Sequence, residues 1–267
     1  MPHRHPHRSV ALALLLVAAG NAAADDLTPR PTMGEVLRLD PAADALLAPD
    51  AAIEVLASGL DWSEGPVWIP RDDRQPDGGG YLLFSDVPRN RVYRWKEGEG
   101  LTVFLEPSGF TGRPGYSPDP GSNGLAIDPA GGILFCEHGD RRVSVLVPGG
   151  GKRTLADAFE GRRFNSPNDC AVDAAGTIYF TDPPYGLPEG PGDTKTRELP
   201  WHGIYRIGKD GRVTLLSKEM TFPNGIALAP DARTLYVAQS DPQAAIWKAF
   251  PVREDGTLGP SRLVADA

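Results

Sequence analysis

The sequence predicts an all-β fold of the propeller type, in which four-stranded sheets, called blades, are arranged around a central channel. Three observations predict it. The chain shows almost no helical periodicity beyond residue 52. Its apolar segments are short and are separated by turns rich in Gly, Pro and Asp, in agreement with 31 Gly and 27 Pro residues among 267. One motif recurs at intervals of 59, 45 and 56 residues, close to the ~40–50-residue period of propeller blades.

The recurring motif begins with a polar residue and continues into an apolar strand. Asn123, Asn168 and Asn224 open three copies, and Glu64 opens a fourth, looser copy. A four-stranded sheet of this kind cannot bury both of its faces alone, so neighbouring blades must pack against one another around an axis. Each copy of the motif therefore marks the first and innermost strand of one blade.

Each of the four repeats divides into four predicted strands, which are separated by the Asp, Gly, Pro and Asn residues that tight hairpins require. The sixteen predicted strands are Pro66–Ile69, Tyr81–Ser85, Arg91–Trp95, Leu101–Leu105, Gly124–Asp128, Ile133–Glu137, Arg142–Val147, Lys152–Ala156, Cys170–Asp173, Thr177–Thr181, Gly203–Ile207, Arg212–Leu216, Gly225–Ala229, Thr234–Gln239, Ala245–Phe250 and Ser261–Val264. A further strand is predicted at Ile53–Ala57, where no partner strand is visible. We therefore expect the chain to be part of a longer ring.

Residues 1–24 have the features of a secretory leader. Arg4 and Arg8 precede an apolar run from Val10 to Ala19, which is shorter than the ~20 residues that span a bilayer. Small residues at 22–24 provide a cleavage site. We expect a secreted protein, exported to a bacterial periplasm, with an uncleaved anchor as the alternative.

The remaining chain divides into a lead-in, residues 25–52, and the propeller domain, residues 53–267, which we expect to be incomplete at its C-terminus. The leader carries two Arg residues and no acidic residue, so its removal takes the formal net charge from −8 to −10. An acidic surface repels phosphate backbones, which disfavours nucleic-acid binding. We expect no membrane span after leader cleavage; the sequence does not indicate an oligomeric state.

Cys136 and Cys170 are the two cysteines of the chain. The expected compartment would allow a disulfide. Both residues, however, lie within apolar strand segments, which favours buried free thiols.

Strand direction predicts which polar residues meet. In an antiparallel sheet, the start of the first strand and the end of the second strand lie on the same side, and the first strands line the channel. We therefore expect Glu64, Asn123, Asn168 and Asn224 from the first strands, and Asp86, Glu137, His138, Asp182 and Asp241 from the ends of the second strands, to lie at one mouth of the channel.

Oxygen ligands dominate this predicted set. One carboxylate and several carboxamides suit Ca²⁺, which takes 6–8 oxygen ligands at roughly 2.3–2.6 Å, or another divalent metal. Zinc is disfavoured because no His and Cys residues have ligand spacing. A single Asn before Gly is commonly a turn residue, but repetition at one blade position favours a site. His138 is interpreted as a substrate contact, with a base and a structural histidine as the alternatives.

Two long loops, residues 107–121 and 183–202, are also expected at this mouth. Both are rich in Pro and Gly and carry aromatic residues. Loops of this length often act as lids or determine specificity. A plain exposed insertion is the alternative for each.

At these residues the chain resembles the senescence-marker-protein/gluconolactonase/luciferin-regenerating-enzyme family, in particular its bacterial gluconolactonase branch. The resemblance extends over about residues 53–265. It is carried by the segments that begin at Ser63 (Ser-Glu-Gly-Pro-Val-Trp), Leu83 (Leu-Phe-Ser-Asp-Val), Asn165 (Asn-Ser-Pro-Asn-Asp), Ile178 (Ile-Tyr-Phe-Thr-Asp-Pro-Pro-Tyr-Gly) and Phe222 (Phe-Pro-Asn-Gly).

The resemblance implies a six-bladed propeller, of which about four blades are present, and one catalytic divalent metal, usually calcium. Glu64, Asn168 and Asn224 match three metal positions of the family, and Asn168 also matches a residue near the bound substrate. Asn123, His138, Asp182 and Asp241 are our candidates for substrate contacts. The family's general base is an Asp that opens a fifth blade, beyond Ala267, so the catalytic base is not identified in this sequence.

These features predict a calcium-dependent hydrolase of sugar lactones or related esters, in which the metal acts as a Lewis acid. Two alternatives remain open. One is a calcium-stabilised propeller that binds ligands without turnover, and the other is an inactive fragment with exposed strand edges.

Overall fold

The computed structural model describes residues 30–72 and 78–266, and it consists almost entirely of antiparallel β-sheet. Four sheets of four strands follow one another along the chain, and within each sheet every strand pairs with its sequence neighbour. The predicted leader lies outside the described residues and stays a prediction. Among the residues described, no helix is long and apolar enough to cross a membrane.

The strands are numbered in chain order. Blade 1 contains β1–β4, blade 2 contains β5–β8, blade 3 contains β11–β14 and blade 4 contains β15–β18. Their bounds are β1 Ser63–Ile69, β2 Tyr81–Asp86, β3 Arg91–Lys96, β4 Gly100–Leu105, β5 Ser122–Ile127, β6 Ile133–Glu137, β7 Arg142–Leu146, β8 Lys152–Ala156, β9 Ala158–Phe159, β10 Arg162–Arg163, β11 Cys170–Val172, β12 Ile178–Asp182, β13 Gly203–Ile207, β14 Val213–Ser217, β15 Pro223–Leu228, β16 Thr234–Gln239, β17 Ile246–Pro251 and β18 Arg262–Asp266.

All sixteen predicted blade strands are present in the predicted order, which confirms the propeller class. The largest differences occur where the first strands begin: β1, β5 and β15 start two or three residues before the predicted positions. Each of these strands has a register shift just after its start, at Glu64/Val67, Ser122/Leu125 and Pro223/Ile226. A bulge of this kind bends the strand and redirects its side chains. The sequence pattern does not reveal it.

The strand predicted at Ile53–Ala57 is wrong. This segment forms a single bridge, between Thr32 and Glu54, with the lead-in. The Met33 amide donates to the Ile53 carbonyl at 2.9 Å, and the Val55 amide donates to the Pro31 carbonyl at 2.8 Å. Apolar residues alone suggested a strand, but the segment pairs with the lead-in rather than with a blade.

Three short elements were not predicted. They are the hairpin of β9 and β10 and two 3-10 helices, Pro41–Ala45 and Gly190–Gly192. The second helix lies within the long loop 183–202. Elements of two to five residues carry too little periodicity to be recognised in a sequence.

The hydrophobic core lies between successive blades. The largest cluster joins blades 2 and 3 and includes Phe164, Phe180 and Tyr205, whose rings pack at centroid distances of 5.1–5.3 Å. Cys136 and Cys170 belong to the same cluster, and both are buried and free, in agreement with the sequence prediction. Burial raises the pKa of the Cys136 thiol well above its ordinary value. Smaller clusters join blades 1 and 2, and blades 3 and 4.

Polar contacts also join the blades, at the ends of the strands that line the channel. Ser85 Oγ of blade 1 donates to the Asn123 carbonyl of blade 2 at 2.8 Å. The Gly124 amide donates to the Asn168 carbonyl of blade 3 at 2.7 Å, and Thr181 Oγ1 donates to the Asn224 carbonyl of blade 4 at 2.7 Å. The main chain of each of these three asparagines is therefore anchored by the preceding blade.

Thr181→Val is expected to destabilise the protein by about 1–3 kcal/mol. The substitution keeps the shape of the side chain but leaves the Asn224 carbonyl without its donor and the Asp169 amide without its acceptor, and unsatisfied groups of this kind are costly. The measurement is the free energy of unfolding in urea. Thr181→Ser retains the hydroxyl and serves as the control. Equal losses in both variants would contradict a role for the inter-blade hydrogen bond.

Candidate functional site

A cavity of about 340 Å³ lies where the first strands of the four blades begin. Side chains from all four blades and from both long loops line it. They are Trp62, Glu64, Val87, Asp119, Asn123, His138, Asn168, Tyr185, Asn224 and Ser240. The structure thus brings together the four residues that open the first strands, and His138 lies with them.

Glycine at the next position allows the blades to approach closely. A Cβ atom on Gly65 would lie 2.2 Å from the Asn123 carbonyl oxygen, and one on Gly124 would lie 2.4 Å from Asp169 Oδ1. Gly65 also has a φ of +56°, in the left-handed region that favours glycine. The Asn-Gly pairs are therefore strand-opening residues at an inter-blade contact, and the turn interpretation does not apply to them.

In blade 3 the position of this glycine is occupied by Asp169. Its carboxylate accepts hydrogen bonds from the amides of Cys170 at 2.9 Å and Ile226 at 3.0 Å, which link blade 3 to blade 4. Burial, together with the nearby Glu64 carboxylate, raises the pKa of Asp169 to about 6. Asp169 is not among the residues that line the cavity. Its hydrogen bonds join the first strands of blades 3 and 4 next to Asn168 and Asn224.

Asn168 is the most constrained of the site residues. It is 1% exposed, and its Nδ2 atom lies 3.3 Å from Nε2 of His138. Within the described part of the chain its Oδ1 atom is buried without a hydrogen-bond partner. Buried polar atoms are rarely left unpaired. The arrangement therefore presents an unused oxygen at a cavity where other oxygen donors converge.

His138 is also buried, and burial lowers its pKa to about 4, so the imidazole is neutral at physiological pH. Its Nδ1 atom lies 3.2 Å from the Asp119 carbonyl oxygen, and its main-chain amide donates to the Gly121 carbonyl at 3.1 Å. A neutral, fully engaged ring is poorly suited to act as a general base near pH 7.

Glu64 belongs to blade 1 and Asn224 to blade 4, and both line the cavity with Asn168 of blade 3. Glu64 accepts a hydrogen bond from the Trp62 indole at 2.9 Å, while Asn224 donates through Nδ2 to Ser240 Oγ at 3.0 Å. The Tyr185 hydroxyl is buried without a hydrogen bond of ordinary geometry, and burial raises its pKa.

Four of the nine residues predicted at this mouth do not line the cavity. Asp86 accepts from the amides of Asp61 and Trp62, each at 3.2 Å, and Glu137 pairs with Arg142 at 2.7 Å. Both are completely buried, with their side chains directed into the protein. They stabilise local structure.

The other two, Asp182 and Asp241, were predicted to contact substrate, and the structure corrects this placement. Asp182 is completely buried and accepts from the Asn165 amide at 2.8 Å. Asp241 accepts from Thr221 Oγ1 at 2.6 Å and from the Gln243 amide at 2.9 Å, in an exposed turn.

The error has a simple geometric cause. Successive side chains of a strand point to opposite sides, and the last residues of β2, β6 and β12 point away from the cavity. The following residue points into it in blades 1 and 2, where Val87 and His138 line the cavity, and Ser240 does so after β16. In blades 1 and 4 the prediction was displaced by one residue, in blade 2 it included the correct residue His138, and in blade 3 the residue after Asp182 does not line the cavity.

Five cavity residues were missed: Trp62, Val87, Asp119, Tyr185 and Ser240. Asp119 and Tyr185 belong to the two long loops, whose length already indicated a role at this mouth. Burial raises the pKa of the Asp119 carboxyl. Trp62 and Ser240 adjoin strand ends and carry no distinguishing signal in the sequence.

The donor set fits a hard divalent cation. Across residues 30–72 and 78–266, no cluster of three or more His, Cys, Asp or Glu residues could hold a metal. The cavity instead combines the Glu64 carboxylate with the carboxamides of three asparagines. The unpaired Asn168 Oδ1 atom is the observation that most directly indicates a ligand position. Carboxylate and amide oxygens are ligands that Ca²⁺ accepts.

Comparison with known proteins agrees with this geometry. The family model described as SMP-30/Gluconolactonase/LRE-like region matches residues 62–267. The chain belongs to this family.

Two bacterial relatives are similar at the level of sequence. A curated gluconolactonase of Zymomonas mobilis is 40% identical over 79% of this chain and 58% of its own length. A solved structure of a gluconolactonase from Xanthomonas campestris is 33% identical, with a TM-score of 0.72, over 88% of this chain and 72% of the other. The chain thus spans somewhat more than half of the curated enzyme.

A more distant structure shows the fold alone. A calcium-binding protein, regucalcin, from Agrobacterium tumefaciens is 18% identical with a TM-score of 0.54, over 77% of this chain and 60% of the other. It supports the propeller class. The total number of blades in the ring is not determined by the four that are described.

Gly124→Ala is expected to disturb the cavity as well as lower stability. The added methyl group would overlap Asp169 Oδ1 and the Asn168 carbonyl, so the first strands of blades 2 and 3 must separate. We expect a loss of about 1–3 kcal/mol, as for other overpacked sites. Gly151→Ala is the matched control, because a Cβ atom there meets nothing within 4 Å. Thermal melting of both variants tests this, and similar melting temperatures would contradict it.

Asp182→Asn is expected to remove a pH dependence of stability. Burial raises the pKa of Asp182 to about 7, so between about pH 4 and 7 the folded state holds a proton that the unfolded state releases. This contribution lowers the free energy of unfolding as the pH rises through that interval. Asn can still accept from the Asn165 amide.

The measurement is urea unfolding of both proteins from pH 4.5 to 8. The stability of the variant relative to the wild type should increase with pH up to about 7 and then level off. Parallel curves across the whole interval would show that Asp182 does not titrate as proposed.

Proposed function

We propose that the protein hydrolyses sugar lactones in this cavity, with a calcium ion held by Glu64, Asn168 and Asn224. The observation that carries the proposal is the buried, unpaired Asn168 Oδ1 atom, on a residue that lines the same cavity as Glu64 and Asn224. The two gluconolactonase relatives, at 40% and 33% identity, support the reaction class. Related esters are a secondary class of substrate.

When bound, a divalent cation would polarise the carbonyl group of the lactone as a Lewis acid. Neighbouring side chains hold the proposed ligands in position. Trp62 holds Glu64 by its indole, and the Ser240 hydroxyl holds the amide of Asn224. Because two of the three proposed ligands are neutral, a bound cation keeps most of its positive charge.

Substrate contacts are assigned to Asn123 and to the two long loops. Asn123 lines the cavity without being needed as a ligand, so its amide is available to a sugar hydroxyl. Tyr185 offers a buried hydroxyl, and Asp119 offers a partly desolvated carboxyl from the other loop. His138 contacts Asn168 and is treated below. Asp182 and Asp241 are not included.

The direct test is hydrolysis of a δ-lactone of a hexose by the purified protein, with and without a chelator. Activity should disappear in EDTA and return with added calcium. Glu64→Gln and Asn168→Ala are expected to lower kcat/KM by at least about 100-fold, because loss of a direct ligand should cost no less than loss of a residue that orients one, which costs about 10–100-fold. Glu254→Gln, an exposed acid distant from the cavity, is the control and should retain wild-type activity.

Full activity in EDTA would overturn the metal-dependent proposal. Calcium-dependent melting without turnover would instead favour a binding propeller. Loss of activity in Glu254→Gln to the same extent as in Glu64→Gln would show that the effect is not specific to the cavity.

A further inference from the structure

We propose that His138 is a positioning residue that turns the side-chain amide of Asn168 so that its oxygen, and not its nitrogen, faces the cavity. The inference rests on the proposed function, because it explains how one of the suggested cation ligands is oriented. It concerns only residues of this chain, and part of its test requires no metal.

The argument begins at the Asp119 main-chain carbonyl, which can accept a hydrogen bond but cannot donate one. His138 Nδ1 lies 3.2 Å from this oxygen, so Nδ1 must carry the proton. In a neutral imidazole the other nitrogen, Nε2, is then an acceptor. It lies 3.3 Å from the Asn168 amide nitrogen, which is a donor. The Asp119 carbonyl thereby sets the tautomer of His138, and the tautomer sets the orientation of the Asn168 amide.

If the oxygen and nitrogen of the Asn168 amide exchanged places, the arrangement would be unfavourable both at His138 and at the cavity. Its oxygen would face Nε2 of His138, so that two acceptors would be in contact. Its two N–H groups would point into the cavity, where they would repel a cation. The observed orientation instead leaves Oδ1 buried and unpaired, on a residue that lines the cavity.

The ring itself has little freedom to move. A Cβ atom on Gly186 would lie 2.3 Å from the His138 Cβ atom, so the backbone of loop 183–202 packs directly against it. That part of the loop is held by Ser166, whose hydroxyl donates to the Pro183 carbonyl at 2.6 Å and accepts from the Gly186 amide at 2.9 Å. On the other side, loop 107–121 supplies the Asp119 and Gly121 carbonyls.

Both long loops therefore converge on His138, and His138 contacts Asn168. The loops contribute Asp119 and Tyr185 to the cavity wall, and through His138 they also support the orientation of a proposed ligand. This arrangement is typical of residues that orient metal ligands, whose replacement lowers metal affinity by about 10–100-fold.

The first experiment uses the wild-type protein without metal. Long-range ¹⁵N–¹H NMR correlations of the histidine rings distinguish the two neutral tautomers. We expect His138 to be protonated at Nδ1 and unprotonated at Nε2. A proton on Nε2 would overturn the proposal, whether or not the protein binds calcium.

The second experiment measures calcium affinity by calorimetry. His138→Phe keeps a planar ring but cannot accept from Asn168, and we expect affinity to fall by about 10–100-fold. His138→Gln offers an amide oxygen in place of Nε2 and should recover part of this loss. His202→Phe is the matched control. Its ring contacts Arg197 and Phe222 outside the cavity, so affinity should be unchanged.

A double-mutant comparison separates positioning from general structural support. The two oxygens of a carboxylate are equivalent, so Asn168→Asp removes the need to orient the amide. In that background His138 Nε2 faces a carboxylate oxygen, so His138→Phe should leave calcium affinity unchanged or raise it. The same loss in both backgrounds would overturn the positioning role.

The outcomes also distinguish this inference from the proposed function. Wild-type protein that binds no calcium would refute the proposed metal site, while the tautomer measurement would still decide the contact between His138 and Asn168. Calcium binding with the Nε2-protonated tautomer would refute the inference and leave the proposed function intact.

Discussion

The structure depends on hydrogen bonds to the main-chain carbonyls of the residues that open the first strands. Asn123, Asn168 and Asn224 each receive such a bond, from Ser85, Gly124 and Thr181 respectively. These contacts join successive blades at the channel and fix the backbone from which the site side chains project. Blade packing and site geometry are therefore determined by the same atoms, so the site cannot be displaced without separating the blades.

The blades were predicted well because the same motif recurs at the start of each blade. Four motif copies marked the four first strands, and short apolar segments between turn residues located the others. The positions at the ends of the second strands were predicted less well. Asp182 is the last residue of one apolar strand and His138 follows another, yet Asp182 points into the protein and His138 into the cavity. A one-residue difference decides this, and the bulges that set the strand starts are not visible in the sequence.

The third blade shows why the motif departs from Asn-Gly. Gly124 leaves the space that the Asp169 carboxylate occupies, since a Cβ atom there would lie 2.4 Å from Oδ1. Asp169 in turn accepts from the Ile226 amide of blade 4. The glycine of one blade and the aspartate of the next are thus complementary. The difference between the two motif copies therefore follows from packing.

The same aspartate explains why position 168 carries an amide. Asn168 is 1% exposed and lies beside Asp169, whose pKa is raised to about 6 by burial and by the Glu64 carboxylate. A carboxylate at position 168 would place a third negative charge in this poorly solvated region, and burying an uncompensated charge is far more costly than burying an amide. An amide supplies an oxygen donor without that charge. Because the amide carries one oxygen and one nitrogen, its orientation must be fixed. The neutral ring of His138 presents the acceptor that the amide nitrogen requires.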